Sequence, residues 1–244
     1  MNNQIALLIP LLLVANAGAA EPAPAAKAPE KIGWVDTVEK QMQGWTVVVD
    51  TKLAEAAPDS PGARALSMLD NHLERISILL PADKLAEVRK LKIFIQESHP
   101  EMKTMGYHPG VEWLTDRGYD PRLAKTVHIP RAEALISREQ MLKHPAVILH
   151  ELAHSYHDQV LGFEDPSIMK AYEQAIEKGI YQKSLLYNGG TVKHYGATNH
   201  KEYFAESTEA YFYHNDFYPF TRAELRLHDP AGFALMEKVW GKID

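Results

Sequence analysis

The hydrophobic and polar positions along the chain predict three strands and two helices in the first half. Trp45 to Asp50 (WTVVVD) is short and β-branched, and Leu91 to Gln96 (LKIFIQ) has the pattern of a strand, so both segments predict strands. Thr126 to Ile129 (TVHI) is a third predicted strand. Ala63 to Leu80 places its leucines and isoleucines at helical spacing, and Ala82 to Lys90 predicts a shorter helix behind it.

The second half carries the start signals of several helices. Proline just inside a helix and Asp or Asn at its cap are typical of an N-terminus. These signals occur at Pro145, Asp165-Pro166, Asn199 and Asp229-Pro230, and the last helix is expected to end at Gly241. The stretch from 105 to 121, rich in Gly, Pro, Tyr and Trp, predicts a loop. Strands followed by helices indicate an α+β fold, with a small mixed sheet and a helical C-terminal part.

The N-terminus resembles an export signal. Met1 to Ala20 contains no Lys, Arg, Asp or Glu, has an apolar run and ends in small residues, which is typical of a secretory signal peptide. The run of about ten residues is shorter than the roughly 20 that span a bilayer. Residues 21 to 31 are rich in Ala and Pro and predict a spacer, and residues 32 to 244 are expected to form a single domain. We therefore expect a periplasmic or extracellular protein without stable membrane insertion of the mature chain.

The composition limits the binding partners, nucleophiles and metal ligands that are available to the chain. The formal net charge of -6, with no basic stripe, argues against nucleic acid as a partner. The chain has no cysteine, so disulfides, thiolate nucleophiles and cysteine-held metals are excluded. Any metal must be held by His, Asp or Glu, and the chain has 12 histidines.

The candidate chemistry lies in the segment AVILHELAHSY. His150, Glu151 and His154 form the pattern H-E-x-x-H. Four residues make about one helical turn, so both imidazoles project from one face and can bind one ion. Glu151, between them, can reach a water at that ion. A pair of ordinary buried histidines is the alternative, but the apolar residues around the motif favour a metal.

A catalytic zinc site uses three protein ligands, so the motif needs one more. The metzincin continuation requires Gly at position 157 and His at 160, but this chain has His157 and Val160. His157 is expected to be half-exposed, or to bond a carboxylate beside the site.

A better donor lies in the segment TNHKEYFAESTEAYFY. Glu202, Glu206 and Glu209 recur at helical spacing on one face of a mostly apolar helix. Three carboxylates there repel one another unless a cation or histidines offset them. We expect Glu202 to be the third metal ligand, and Glu206, one turn on, to hold a ligand histidine in its tautomer. A solvent-facing acidic stripe with a capping box at Asn199 is the alternative.

The loop before that helix, NGGTVKHYGATN, should lie at the rim of the site. It offers two donors, His194 and Tyr195, and either can stabilise the negative charge that develops on a carbonyl oxygen under attack. The residues alone leave the choice open.

These segments resemble the catalytic domain of anthrax lethal factor-like zinc metallopeptidases. HELAH, followed downstream by YGATNHKEYFAE, matches the family pattern in which Tyr-Gly-x-Thr-Asn precedes a Glu-[Phe/Tyr]-Phe-Ala-Glu helix. The resemblance covers roughly residues 146 to 213. It implies a zincin-like fold, one zinc ion per chain held by His150, His154 and Glu202, and Glu151 as general base. It also implies that Tyr195 assists the oxyanion and that Glu206 supports the ligands. A looser similarity to exported bacterial metallopeptidase-like proteins extends from 107 to 220.

The expected activity is zinc-dependent hydrolysis of a peptide or protein substrate. In zincin folds a strand upstream of the metal helix pairs with the substrate, and Thr126 to Ile129 is the candidate for that edge strand. Two alternatives remain, a zinc amidase or esterase acting on the cell envelope, and a metal-binding protein without turnover.

Overall fold

A computed structural model describes residues 30 to 243. The predicted signal peptide and nearly all of the predicted spacer lie outside the described residues. Glu30 and Lys31, which end that spacer, are exposed and have no regular structure. Within the described range, no helix is both long and apolar enough to cross a membrane.

The first sheet has five strands of mixed direction. They are β1 (Thr37–Met42), β2 (Trp45–Asp50), β3 (Lys92–Ile95), β4 (Gly106–Tyr107) and β5 (Thr126–Ile129). The order across the sheet is β1-β2-β3-β5-β4. Strands β2, β3 and β5 are parallel, whereas β1 and β4 run antiparallel to their neighbours. The expected α+β fold with a small mixed sheet is confirmed.

The position of β5 corrects one expectation. Thr126 to Ile129 is a strand, as predicted, but it lies between β3 and β4 and all four of its residues are buried. It is therefore not an edge strand. The edge strand on this side of the sheet is β4, Gly106–Tyr107, inside the stretch that was predicted as a loop. Two residues are too few to show an alternating pattern, and their pairing comes only from β5.

Strand β1 was not predicted, because its sequence TVEKQM is mostly polar and exposed. It forms a hairpin with β2 through a two-residue turn at Gln43 and Gly44. Both residues have positive φ angles, 50° and 90°. Turns of this left-handed kind match the twist of the paired strands, and glycine adopts them without a steric penalty.

Ten α-helices occur in the described part of the chain. They are α1 (Thr51–Ala54), α2 (Pro61–Leu79), α3 (Ala82–Val88), α4 (Glu112–Thr115), α5 (Arg138–Lys143), α6 (Val147–Tyr156), α7 (Pro166–Glu177), α8 (His200–Phe212), α9 (Arg222–His228) and α10 (Pro230–Trp240). A small hairpin of β6 (Ser184–Leu185) and β7 (Thr191–Val192) lies between α7 and α8. The predicted helix starts are confirmed where Asp165, Asn199 and Asp229 cap α7, α8 and α10. Helices α1, α4, α5 and α9, which have four to seven residues each, were not predicted.

Helices α6 and α8 pack against each other in the core, and α10 holds them together. The Tyr156 ring of α6 lies 4.5 Å from the Trp240 ring of α10, measured between centroids. The Trp240 indole donates a hydrogen bond to the Thr208 hydroxyl of α8 at 3.0 Å. At the other end of α8, Tyr203 donates to the Asp229 carboxylate, at the cap of α10, at 2.6 Å. These contacts fix which faces of α6 and α8 meet, and the candidate site lies where they do.

Candidate metal centre

Helix α6 carries the H-E-x-x-H residues on its face toward α8. Nine of its ten residues are buried, including His150 and Glu151. His150 and His154 are one turn apart, and their ring centroids lie 4.7 Å from each other. The helix therefore presents both imidazoles to the same point, as the spacing predicted.

Helix α8 brings Glu202 to that point. The Asn199 side-chain oxygen accepts hydrogen bonds from the backbone N–H groups of Lys201 and Glu202, at 2.9 and 3.0 Å. This cap fixes the first turn of α8, in which Glu202 lies. The capping role and the predicted ligand role of this turn are therefore compatible, because the cap uses the backbone of Glu202 and leaves its carboxylate free.

Three ligand-type atoms converge between the two helices. His154 Nε2 lies 3.0 Å from His150 Nε2 and 3.1 Å from Glu202 Oε2. The third side of the triangle, from His150 Nε2 to Glu202 Oε2, is 3.3 Å. Ligands about 2.0–2.2 Å from a tetrahedral zinc ion lie roughly 3.3–3.5 Å apart. The triangle is close to that size, so this group could hold a metal ion.

A hydrogen bond behind His150 sets its tautomer. His150 Nδ1 lies 2.5 Å from Glu209 Oε1. An ionised carboxylate has no proton to donate, so the hydrogen bond is donated by Nδ1 of His150. In neutral His150 the free lone pair is therefore on Nε2, which faces His154 and Glu202. The donor set therefore fits a cation.

The carboxylate in this supporting position is Glu209, whereas the helical spacing led us to expect Glu206 there. Glu206 Oε1 lies 3.9 Å from His150 Nδ1, beyond hydrogen-bond distance. Glu206 and Glu209 are on the same helix face, three residues apart, and their spacing does not decide which of them meets His150. The packing of α8 on α6 places the later one there.

The electrostatics of the site favour its ionised carboxylates. Burial opposes the charged form of His150, but hydrogen bonds with Glu202 and Glu209 outweigh it and raise the pKa of His150 well above its usual value. Burial likewise opposes ionised Glu209, yet His144 and His150 lower the pKa of Glu209 to about 2. The hydrogen bonds of His150 and His154 lower the pKa of Glu202 in spite of its burial. A metal ion bound at this group would therefore compete with the proton on His150, and its binding would release that proton.

Glu206 and Asp216 add buried acidity beside the site. Burial, followed by the negative charge of Glu209, raises the pKa of Glu206 well above its usual value. Burial also raises the pKa of Asp216. One carboxylate oxygen of each has no hydrogen-bond partner among the described residues. The repulsion expected among three carboxylates on this helix is thus relieved in part by histidines at Glu202 and Glu209, and in part by a preference of Glu206 for its protonated form.

His144 belongs to the site and was not predicted. It lies just after α5, and its Nε2 is 2.9 Å from Glu209 Oε1. His144, His150 and Glu209 form a second group of ligand-type atoms. The distances of 2.5 and 2.9 Å to the shared Glu209 oxygen are shorter than the roughly 3.3 Å that separates two ligands of one zinc ion, so we interpret this group as hydrogen-bonded support for His150. No spacing rule links positions 144 and 209 along the chain.

His157 does not have the expected half-exposed position. It is completely buried, in the π-helical turn His157–Leu161 that follows α6. Its ring packs against Phe163 and Phe204, and neither ring nitrogen has a hydrogen-bond partner among the described residues. Burial lowers the pKa of His157 to about 4. It therefore acts as a neutral part of the core.

The rim loop presents Tyr195 to the site and His194 to the core. Tyr195 is 47% exposed and lines the same cleft as His150 and His154. Partial burial, followed by the charge of Glu202, raises the pKa of Tyr195, so its hydroxyl stays a donor. His194 is only 3% exposed, and its Nδ1 accepts a hydrogen bond from the Gly196 N–H at 2.9 Å. Burial lowers the pKa of His194 to about 3, so its ring is neutral. Of the two candidates, only Tyr195 is positioned to meet a bound molecule.

The site opens into a cleft of about 530 Å³. One wall is formed by β4 and the residues before it, and the other by α5 and its end. The lining includes Lys103, Thr104, Met105, Gly106, Tyr107, Lys143, His144, His150, Glu151, His154, Tyr195, Glu202 and Phe217.

Comparison of the chain with protein-family models, with curated proteins and with solved structures finds no match.

Proposed function

We propose that the protein is a zinc-dependent metallopeptidase with a zincin-like catalytic domain. The observation that carries the proposal is the triangle of His150 Nε2, His154 Nε2 and Glu202 Oε2 on the wall of an open cleft. Two imidazoles and one carboxylate form a donor set used by catalytic zinc, and three protein ligands leave a fourth position for water or substrate. Bound there, zinc would polarise the scissile carbonyl and make a water molecule more acidic.

Glu151 is proposed as the general base. It lines the cleft, and its carboxylate makes no hydrogen bond to another residue within 30 to 243. Its acceptor capacity is therefore available to a water molecule beside the ligands. Glu151 would remove a proton from that water and pass it to the leaving amine.

Two further residues are proposed to support the reaction. The Tyr195 hydroxyl, which remains protonated, would donate to the carbonyl oxygen as negative charge develops on it. Glu209 would keep His150 in the tautomer that directs Nε2 to the metal. Both side chains are in place before the substrate arrives, so little reorganisation is needed.

An extended peptide is the substrate we propose. The edge strand β4 borders the cleft and pairs on only one side, with β5, in the described structure. An exposed strand edge can pair with the backbone of a peptide. The charge-free apolar leader is the basis for proposing that the enzyme acts outside the cytoplasm.

The test combines metal content with turnover. Purified protein and Glu151→Gln are analysed for zinc and then incubated with casein and, separately, with cell-wall fragments, with products identified by mass spectrometry. We expect about one zinc in both proteins, and casein cleavage only by the wild type. Casein cleavage by Glu151→Gln at the wild-type rate would remove Glu151 as the base. Release of products from cell-wall fragments alone would favour an envelope amidase or esterase, and zinc without any turnover would favour a binding protein.

A further inference from the structure

We propose that His144 is a positioning residue that holds Glu209 in place for His150, and so controls the metal affinity of the site. The inference rests on the proposed metal site, but not on the proposed peptidase activity. His144 is outside the H-E-x-x-H motif and outside the helix that supplies Glu202. It acts through Glu209 and does not itself contact the metal position.

One carboxylate oxygen serves both histidines. Glu209 Oε1 accepts from His150 Nδ1 at 2.5 Å and from His144 Nε2 at 2.9 Å. Glu209 is completely buried, and its other oxygen has no partner in the described part of the chain. These two imidazoles are thus the only hydrogen-bond donors to the Glu209 carboxylate there. A buried carboxylate that loses one of two donors is less well held in its rotamer.

The backbone around His144 is itself fixed. The His144 N–H donates to the Gln140 carbonyl at the end of α5, at 2.8 Å. The His144 carbonyl accepts from the Val147 N–H at the start of α6, at 3.3 Å. His144 therefore joins the end of one helix to the start of the metal helix. Its ring meets the His150 ring edge to face, with centroids 5.2 Å apart.

His144 also reaches the cleft. Its side chain is 18% exposed and forms part of the cleft wall, next to Lys143. A molecule bound against this wall therefore contacts a residue that is two hydrogen bonds away from a metal ligand. His144 and Glu209 therefore connect this wall of the cleft to His150, a ligand of the proposed metal site.

The test uses two substitutions of similar size that differ in hydrogen bonding. His144→Leu removes the donor, whereas His144→Gln keeps an amide N–H that can reach Glu209. Zinc dissociation constants are measured by competition with a chromophoric chelator, after circular dichroism confirms folding. The same proteins are loaded with cobalt(II), whose visible absorption reports ligand geometry. His214→Leu, which replaces an exposed histidine, is the matched control.

We expect His144→Leu to weaken zinc binding about 10- to 100-fold and to change the cobalt spectrum, as for other residues that orient metal ligands. His144→Gln should restore most of the affinity, and His214→Leu should leave it unchanged. In a double-variant cycle, His144→Leu should add little to the loss caused by Glu209→Gln, because it acts through that carboxylate.

The inference is overturned if His144→Leu binds zinc and cobalt like the wild type, or if the two losses simply multiply. If His144→Leu does not fold, a loss of affinity of more than about tenfold in folded His144→Gln contradicts the proposal. A zinc site that depends on His144 but supports no hydrolysis would refute the proposed function and leave this inference standing. Peptidase activity in a protein whose zinc affinity does not depend on His144 would support the proposed function and refute this inference.

Discussion

Replacing Glu202 by alanine is the sharpest test of the metal centre. Glu202 supplies one of three converging ligand atoms, 3.1 and 3.3 Å from the two histidine nitrogens. Residues that only orient ligands change metal affinity about 10- to 100-fold, so loss of a ligand should reach at least the upper end of that range. A hundredfold larger dissociation constant corresponds to a loss of about 2.7 kcal/mol of binding free energy.

This loss can be expressed as a change in thermal stability. At free zinc about 1,000 times the wild-type dissociation constant, binding stabilises the folded state by about 4.1 kcal/mol. For a domain of about 150–250 residues, 1 kcal/mol shifts Tm by about 2–4 °C, so zinc should raise the wild-type Tm by roughly 8–16 °C. At the same zinc concentration, Glu202→Ala retains only about 1.4 kcal/mol, or roughly 3–6 °C.

The assay is calorimetry with and without zinc, at one buffered free zinc concentration. The quantity to compare is the zinc-induced shift and not Tm itself, because Glu202→Ala also breaks contacts with His150 and His154 in the metal-free protein. Glu173→Ala, on the exposed face of α7, is the matched control and should keep the full shift. An equal shift in wild type and Glu202→Ala would refute the assignment of Glu202 as a ligand.

Two other changes give separate predictions. The Tyr195→Phe variant should bind zinc as the wild type does. Its kcat on a cleaved peptide should fall about 100- to 1,000-fold, because the substitution removes a hydroxyl donor to the oxyanion. An unchanged kcat in steady-state assays would exclude that role. His72 is a buried residue of α2, and burial, followed by the charge of Arg75, lowers its pKa from 6.5 to about 4. The unfolded chain therefore takes up a proton between pH 6.5 and 4 that the folded chain does not, and stability falls over that window by up to about 3 kcal/mol. In urea titrations at pH 7.5 and 4.5, His72→Leu should lose less stability than the wild type, and equal losses would contradict this account.

Local sequence determined the elements that carry the site. The apolar residues around HELAH predict a buried helix, and α6 is one. Asn199 marks the start of α8 because its side chain satisfies N–H groups that the helix leaves free. Spacing alone placed His150 and His154 on one face of α6, and the three glutamates on one face of α8. These features depend on interactions between residues a few positions apart, so they can be predicted from the chain itself.

Only the tertiary structure decided which of those residues meet. A shift of one helix along another by one turn, about 5.4 Å, exchanges the residues at a contact without changing any spacing in sequence. The packing of α8 on α6, where Trp240 contacts Tyr156 of α6, decided that Glu209 and not Glu206 supports His150. The same holds for His144, whose partner is 65 positions away, and for β4, which is a strand only because β5 lies beside it. These contacts are set by packing across the core, and no local pattern records them.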